Sequence, residues 1–303
     1  MLRGIMLSLA TVAASLAVVA LVMTAPKSVT AADLPPRTPD LANGRTMFLA
    51  GGCASCHASP GQEDKTRLGG GVRLKTAYGT FVAPNISPDE KDGIGRWSEA
   101  DFVSAMHEGT SPAGANLFPA FPYPSFAHMR LADVRDLFAY IKTLPPMSGR
   151  PPQHDLRFIF ASRALVGIWK YLYFDDDVFT PDPDKSSEWN RGAYLVNGAG
   201  HCAECHSPRN ALGAVIVDRR FSGGPNPVDK GKVPSITQSN LDIWSVEDIE
   251  TLLASGKMPD GDMVSDVMTE VVKGTAALSP EDRRAIAVYV KSLPPAPKEP
   301  KTD

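Results

Sequence analysis

The chain has no cysteine to spare. Four occur in 303 residues, all within two short strings, so no disulfide framework is available to staple the fold. An excess of charge of one sign is missing too. The 31 Lys and Arg against 34 Asp and Glu leave a formal net charge of −3, which gives no general basic field for nucleic acid. No glycine-rich phosphate loop follows a strand, and no Ser-His-Asp arrangement can be placed, which argues against nucleotide-binding or hydrolytic pockets. What remains is ordinary in bulk. Hydrophobic residues make up 43%, and the length suits two domains of about 150 residues, each with its own core.

The two cysteine strings are Cys53-Ala54-Ser55-Cys56-His57 and Cys202-Ala203-Glu204-Cys205-His206. C-x-x-C-H is the attachment motif of c-type haem. Its thiols add to the porphyrin vinyl groups, and the next residue stands beneath the ring as proximal iron ligand. The competing readings are a zinc site, which wants further thiolates or imidazoles at finger-like spacing, and a redox dithiol, which has no need of the histidine. The motifs predict two covalently bound haem c groups, with Cys53, Cys56, Cys202 and Cys205 as attachment points and His57 and His206 on iron.

The N-terminus reads as an export segment. Arg3 precedes an uncharged run from Gly4 to Thr24, and Val29-Thr30-Ala31-Ala32 supplies small residues for cleavage. The run exceeds a usual signal core and is long enough to cross a bilayer. Residues 1–32 are therefore a signal peptide or a signal anchor. Both deliver the rest to the periplasm, where c-type haem is attached.

The remainder repeats. Cys53 and Cys202 are 149 apart, as are Tyr140 and Tyr289 in Tyr140-Ile141-Lys142-Thr143-Leu144-Pro145-Pro146 and Tyr289-Val290-Lys291-Ser292-Leu293-Pro294-Pro295. Trp97-Ser98 matches Trp244-Ser245. Each copy predicts a glycine-bearing helix before the haem motif, a second after Trp-Ser, and a third ending at the double proline, which a helix cannot accommodate. A small glycine on the first helix would let the last one cross closely. The expected organisation is all-α, with domains at 36–146 and 188–297, a connector at 147–187 and a tail at 298–303.

This order of helices and motifs resembles the class I cytochrome c fold, present twice. The strings Pro84-Asn85-Ile86-Ser87-Pro88-Asp89, Leu117-Phe118-Pro119-Ala120-Phe121-Pro122-Tyr123 and Arg191-Gly192-Ala193-Tyr194-Leu195-Val196 resemble, more closely still, the cytochrome subunits of periplasmic alcohol, gluconate and related dehydrogenases. The resemblance covers roughly residues 40 to 297. It implies an electron carrier with a periplasmic dehydrogenase subunit as donor and a cytochrome, oxidase or quinone-linked acceptor, possible attachment to the inner membrane, and no nucleic-acid partner. Those subunits often carry three haems, whereas this chain has two motifs.

The sixth iron ligands are less evident. Met268, in Val267-Met268-Thr269-Glu270-Val271-Val272, is similar to the family's ligand-bearing stretch, with Met258 and Met263 as competitors and core packing as the plain alternative. Phe121 lies 24 residues after Trp97, as Met268 does after Trp244, and phenylalanine cannot bind iron. Met129 is the leading substitute; His128, His107, Met106 and an open iron are the others. His154 and His201 receive no assigned role beyond local packing or capping. Within the connector, residues 156 to 174 are aromatic-rich with interspersed Arg157, Arg163 and Lys170. They read as a helix packed across both domains, or as a docking surface for a membrane or subunit. An electron carrier is the expected function. A dihaem peroxidase using an open first haem is the enzymatic alternative, and a haem-based sensor or assembly protein is a third.

Overall fold

The computed structural model describes Ser15 and residues 22–297. The predicted export run, residues 4–24, and the 298–303 tail therefore fall largely outside the described residues. Among those described, no helix is long and apolar enough to cross a membrane.

The first unit contains α1 (Leu41–Ala50), α2 (Cys53–His57), α3 (Glu99–Glu108), α4 (Tyr123–Phe126) and α5 (Leu131–Ile141), with strands β1 (Arg73–Thr76) and β2 (Gly79–Val82). The connecting segment adds β3 (Asp155–Leu156) and α6 (Arg163–Tyr173). The second unit contains α7 (Ser187–Asn197), α8 (Ala203–His206), β4 (Gly224–Pro225), β5 (Lys232–Val233), α9 (Gln238–Leu241), α10 (Val246–Ser255), α11 (Asp266–Thr275) and α12 (Pro280–Lys291).

The fold is mostly helical, as expected, with a few short strands added. β1 and β2 form an antiparallel hairpin whose outer edge takes β3 from the connector, with Gly79 opposite Leu156 and Thr80 opposite Asp155. His154 closes that sheet. Its Nδ1 accepts the Val82 amide at 3.1 Å while its ring packs edge-on against Phe81 and Phe118. A strand of two residues leaves no periodicity to read, which is why the sequence did not announce it.

Each predicted helix boundary has a local cause. Asp40 caps α1 by accepting the Ala42 and Asn43 amides. The repeated Trp-Ser string opens α3 and α10 with reciprocal capping boxes, Ser98 with Asp101 and Ser245 with Asp248, each worth about 1 kcal/mol. Both closing helices stop short of their double prolines.

The glycine expectation holds in both copies. A Cβ on Gly44 would collide with the Asp136 carbonyl of α5, and one on Gly192 with the Ala285 carbonyl of α12. Only glycine lets these backbones cross at such separation. Above each crossing the aromatic residue of the last helix packs on the first: Tyr140 on Phe48 and Tyr289 on Trp189, with centroids 5.4 and 5.0 Å apart.

The two units share one continuous core, running from Met47 and Phe48 through Met129 and Tyr194 to Ile286 and Val290. The polar part of their junction is specific. The Tyr194 hydroxyl donates to Asp133 and accepts the Arg130 amide at 3.2 Å, with the Arg130 guanidinium 4.7 Å above the Tyr194 ring.

Candidate functional site

Both haem motifs occupy short helices that start from a left-handed residue or just after one. In the first unit this residue is Gly52 (φ 54°); in the second, at the matching position 149 later, it is His201 (φ 38°). An L-residue there is strained, and a glycine in one copy beside a histidine in the other marks a position fixed by geometry.

The histidines that follow the cysteine pairs are held alike. His57 Nδ1 lies 2.8 Å from the Pro84 carbonyl oxygen, and His206 Nδ1 lies 2.8 Å from that of Pro234. A carbonyl only accepts, so Nδ1 carries the proton and Nε2 presents a lone pair, the tautomer a metal-ligating imidazole needs. Burial lowers both histidine pKa values below their ordinary range, against the opposing pull of those carbonyls, which keeps the rings neutral at pH 7. The amides of Gly70 and Gly223 bind the backbone carbonyls of the same histidines at 2.7 and 2.8 Å, closing each loop over its motif. The two prolines begin similar strings, Pro84-Asn85-Ile86 and Pro234-Ser235-Ile236, 27 and 28 residues after their histidines.

The cysteines also discriminate between chemistries. Burial pushes the Cys53 and Cys202 thiols up to about 12, with the partner cysteine adding like-charge repulsion. A low-pKa redox dithiol needs the opposite shift. Among the described residues, the one cluster of three His, Cys, Asp or Glu ligand atoms is the exposed Asp175–Asp177 tract, which does not involve the motifs. Protonated thiol pairs next to a neutral imidazole with an oriented Nε2 fit covalent haem attachment.

The fold sets the motifs against each other. His201 Nε2 lies 3.2 Å from the Gly51 carbonyl oxygen, so the residue before one cysteine pair meets the backbone before the other. The His201 ring packs edge-on against Phe126, centroids 5.6 Å apart. Ser125 Oγ donates to Glu204 at 3.1 Å, and Arg209 pairs with the same carboxylate at 2.6 Å. Cys205 is raised chiefly by burial, with Glu204 and Cys56 of the other unit adding repulsion.

The proposed sixth ligands stand in unlike surroundings. Met268 lies on α11, half-buried against the core, rather than in an open loop. Its competitor Met263 is 59% exposed, and Met258 sits in the preceding turn. Met129 is fully enclosed, immediately before the N-cap residue of α5, with its Cγ against Gly198 of the second unit. The corresponding residue before α12 is the buried Leu278. Burial lowers the His107 pKa, against an opposing pull from the Met129 backbone, and its register match in the second unit, 147 residues on, is the exposed Ala254. His128 Nδ1 is taken by the Asp177 carbonyl at 2.6 Å. Phe121 packs on Phe126 and Tyr123.

A cytochrome c family model matches residues 41–145. Over 259 residues the chain is 48% identical to a "Diheme cytochrome c-type" protein of Cereibacter sphaeroides, covering 85% of this chain and 87% of the relative. The chain belongs to the cytochrome c family. As a dihaem member it carries two covalently bound haem c groups and functions in electron transfer. This cytochrome is also 36% identical over 278 residues to the cytochrome c subunit of the alcohol dehydrogenase (quinone) of Gluconacetobacter polyoxogenes, and 32% identical over 262 residues to the fructose dehydrogenase cytochrome subunit of Gluconobacter japonicus. It spans 58% and 53% of those two relatives, against 86% and 84% of its own length.

Proposed function

We propose that this cytochrome is an exported electron-transfer protein of two tandem domains, 36–146 and 188–297, that accepts electrons one at a time from a periplasmic dehydrogenase and passes them to a cytochrome, oxidase or quinone-linked acceptor at the inner membrane. The observation that carries this reading is the pair of matched motifs with carbonyl-oriented histidines, His57 on Pro84 and His206 on Pro234, abutting through His201 and Gly51. The relatives named as dehydrogenase cytochrome subunits support the choice of donor. The apolar run from Gly4 to Thr24 supports export, and its length supports a tether to the inner membrane. The dihaem peroxidase alternative gains no support from the family or from the relatives' names.

Cys53, Cys56, Cys202 and Cys205 would hold the two haems, and His57 and His206 would bind their iron. When bound, haem iron supplies a one-electron Fe(III)/Fe(II) couple. The Pro84 and Pro234 carbonyls fix ring orientation and make each Nε2 a better donor. Met268 would supply the thioether to the second haem, a ligand that favours Fe(II) and raises the potential.

Met129 is the corresponding candidate for the first haem, and the fold supplies a second role for it: it occupies the register of Leu278 and packs on Gly198. Met129→Leu separates the two, because it keeps the packing volume and removes the sulfur. If Met129 is a ligand, this variant loses a thioether–iron charge-transfer band and binds carbon monoxide; if it is a packing residue, both spectra stay as in the wild type. Met268→Ala is expected to lower one midpoint potential and open one iron to carbon monoxide. The function itself is tested by reduction through a dehydrogenase or a small redox protein, with negligible hydrogen peroxide turnover. Peroxide turnover at roughly 1 to 1,000 per second would reverse it.

A further inference from the structure

The polarity of α6 is inverted. Leu165, Ile168 and Leu172, spaced i, i+3 and i+7, share one helix face, and that face is turned outward: Ile168 is 46% and Leu172 56% exposed. Val166 and Gly167 are buried on the opposite side. The two cations of the helix also point inward. Arg163 donates to the Asn116 carbonyl at 2.6 Å and lies 4.7 Å above the Phe118 ring, while Lys170 Nζ donates to the Glu108 carbonyl and, at 3.1 Å, to Asn116 Oδ1. Neither charged side chain of α6 therefore stands on the outward face. The turn just before the helix extends the patch with Phe158, 94% exposed, and Ile159, and Tyr171 and Tyr173 stand exposed at its flanks.

The chain's entry point lies on the same helix. The Thr24 carbonyl occupies the space a Cβ on Gly167 would need, and Val22 and Met23, directly upstream, are exposed. The apolar run Gly4–Thr24 thus joins the folded body at α6. An uncharged outward face on the very helix that receives the end of a bilayer-length apolar segment matches a surface that rests on lipid, and tyrosines at its margin suit the headgroup level.

We propose that residues 158–172 form a membrane-resting face, which lies in the headgroup–acyl boundary of the bilayer that residues 4–24 enter. This inference rests on the tether reading of the N-terminal run. The contact is apolar, so it is insensitive to salt, and it holds the body in one orientation on the membrane.

The test uses the full-length holoprotein in vesicles of phosphatidylethanolamine and phosphatidylglycerol that include a phospholipid with a photoactivatable upper acyl chain. Adducts are mapped by peptide mass spectrometry. The expected result is labelling both within 4–24 and within 158–172, unchanged in high salt. The triple variant Leu165→Gln, Ile168→Gln, Leu172→Gln is expected to cut labelling of 158–172 by at least about tenfold, leaving N-terminal labelling and both haem spectra intact. N-terminal labelling with none at 158–172, or labelling there that the triple variant does not reduce, overturns the proposal while the tether stands. Protection of 158–172 from hydrogen exchange by a co-purified dehydrogenase subunit, with no lipid adducts there, overturns it in favour of a protein interface. No labelling in either region overturns the tether along with it.

Discussion

In the first unit the crossing of α1 and α5 is held by a network centred on Asp136, which takes the Asp40 amide at 2.8 Å, Asn43 at 2.9 Å and Arg37 at 2.7 Å. In the second unit the same position, 149 residues on, is Ala285, and the crossing of α7 and α12 is held instead by a bidentate pair, Arg191 with Asp282 at 2.7 and 3.0 Å. The backbone contact beneath is the same in both: glycine against the carbonyl of residue 136 or 285. The difference teaches that the crossing is set by main chain and glycine. The polar side chains secure it in whatever way local sequence allows.

The comparison can be broken most completely at the attachment residues. Replacing Cys56 or Cys205 by Ser should each remove one of the two haems, so covalently bound haem measured by pyridine haemochrome falls by about half in either variant if the units are equivalent scaffolds. A variant that loses both would show that one unit cannot mature without the other. Next comes the shared contact. Gly44→Val and Gly192→Val should each destabilise by about 3 kcal/mol through forced overpacking, read as a shift in the urea midpoint. A much smaller cost at either site would show that its crossing can relax.

The polar networks should matter less and differently. Burial opposes ionisation of Asp136, but hydrogen bonds from Asn43, Arg37 and the Asp40 amide outweigh it and hold the carboxyl below its ordinary 3.8. A folded pKa below the unfolded one means the charge stabilises the native state above the unfolded pKa, and that stabilisation is lost as pH falls through the folded value. Asp136→Asn should therefore cost about 1–3 kcal/mol near neutral pH, with the gap from wild type closing at pH values below the folded pKa. A pH-independent gap would assign Asp136 a purely steric role. The smallest effect is expected at His201→Gly, which gives the second unit the residue of the first. Relief of the left-handed backbone, about 1–3 kcal/mol, offsets loss of the Gly51 contact, about 1 kcal/mol. Denaturation should register little change, whereas a large loss of stability would show that the junction depends on this ring.

Much of this was legible in residues. The cysteine strings, the 149-residue repeat, the capping boxes after Trp97 and Trp244 and the crossing glycines are local signals, each with one dominant physical cause. The Pro84 and Pro234 carbonyls were hidden because a backbone acceptor leaves no side-chain signature. β3 was too short for periodicity. Met129 and Leu278 already match at the 149-residue repeat, but only the fold shows that both are buried just before an N-cap residue. The inverted face of α6 was half legible: its aromatics and cations were visible, but which of them pointed inward depended on Asn116 and Glu108, more than 45 residues away.

The His201 ring rests on the Gly51 carbonyl just upstream of both cysteine pairs. Two carriers on a flexible leash would take turns, each swinging out to meet its own customer, and throughput would slow in a viscous medium. Here the pair is joined at its points of attachment, so the distance between them does not fluctuate with the surroundings. The molecule then acts as a short conductor with two terminals. In the proposed electron-transfer role, a donor at one end and an acceptor at the other would be engaged together, without competing for the same face.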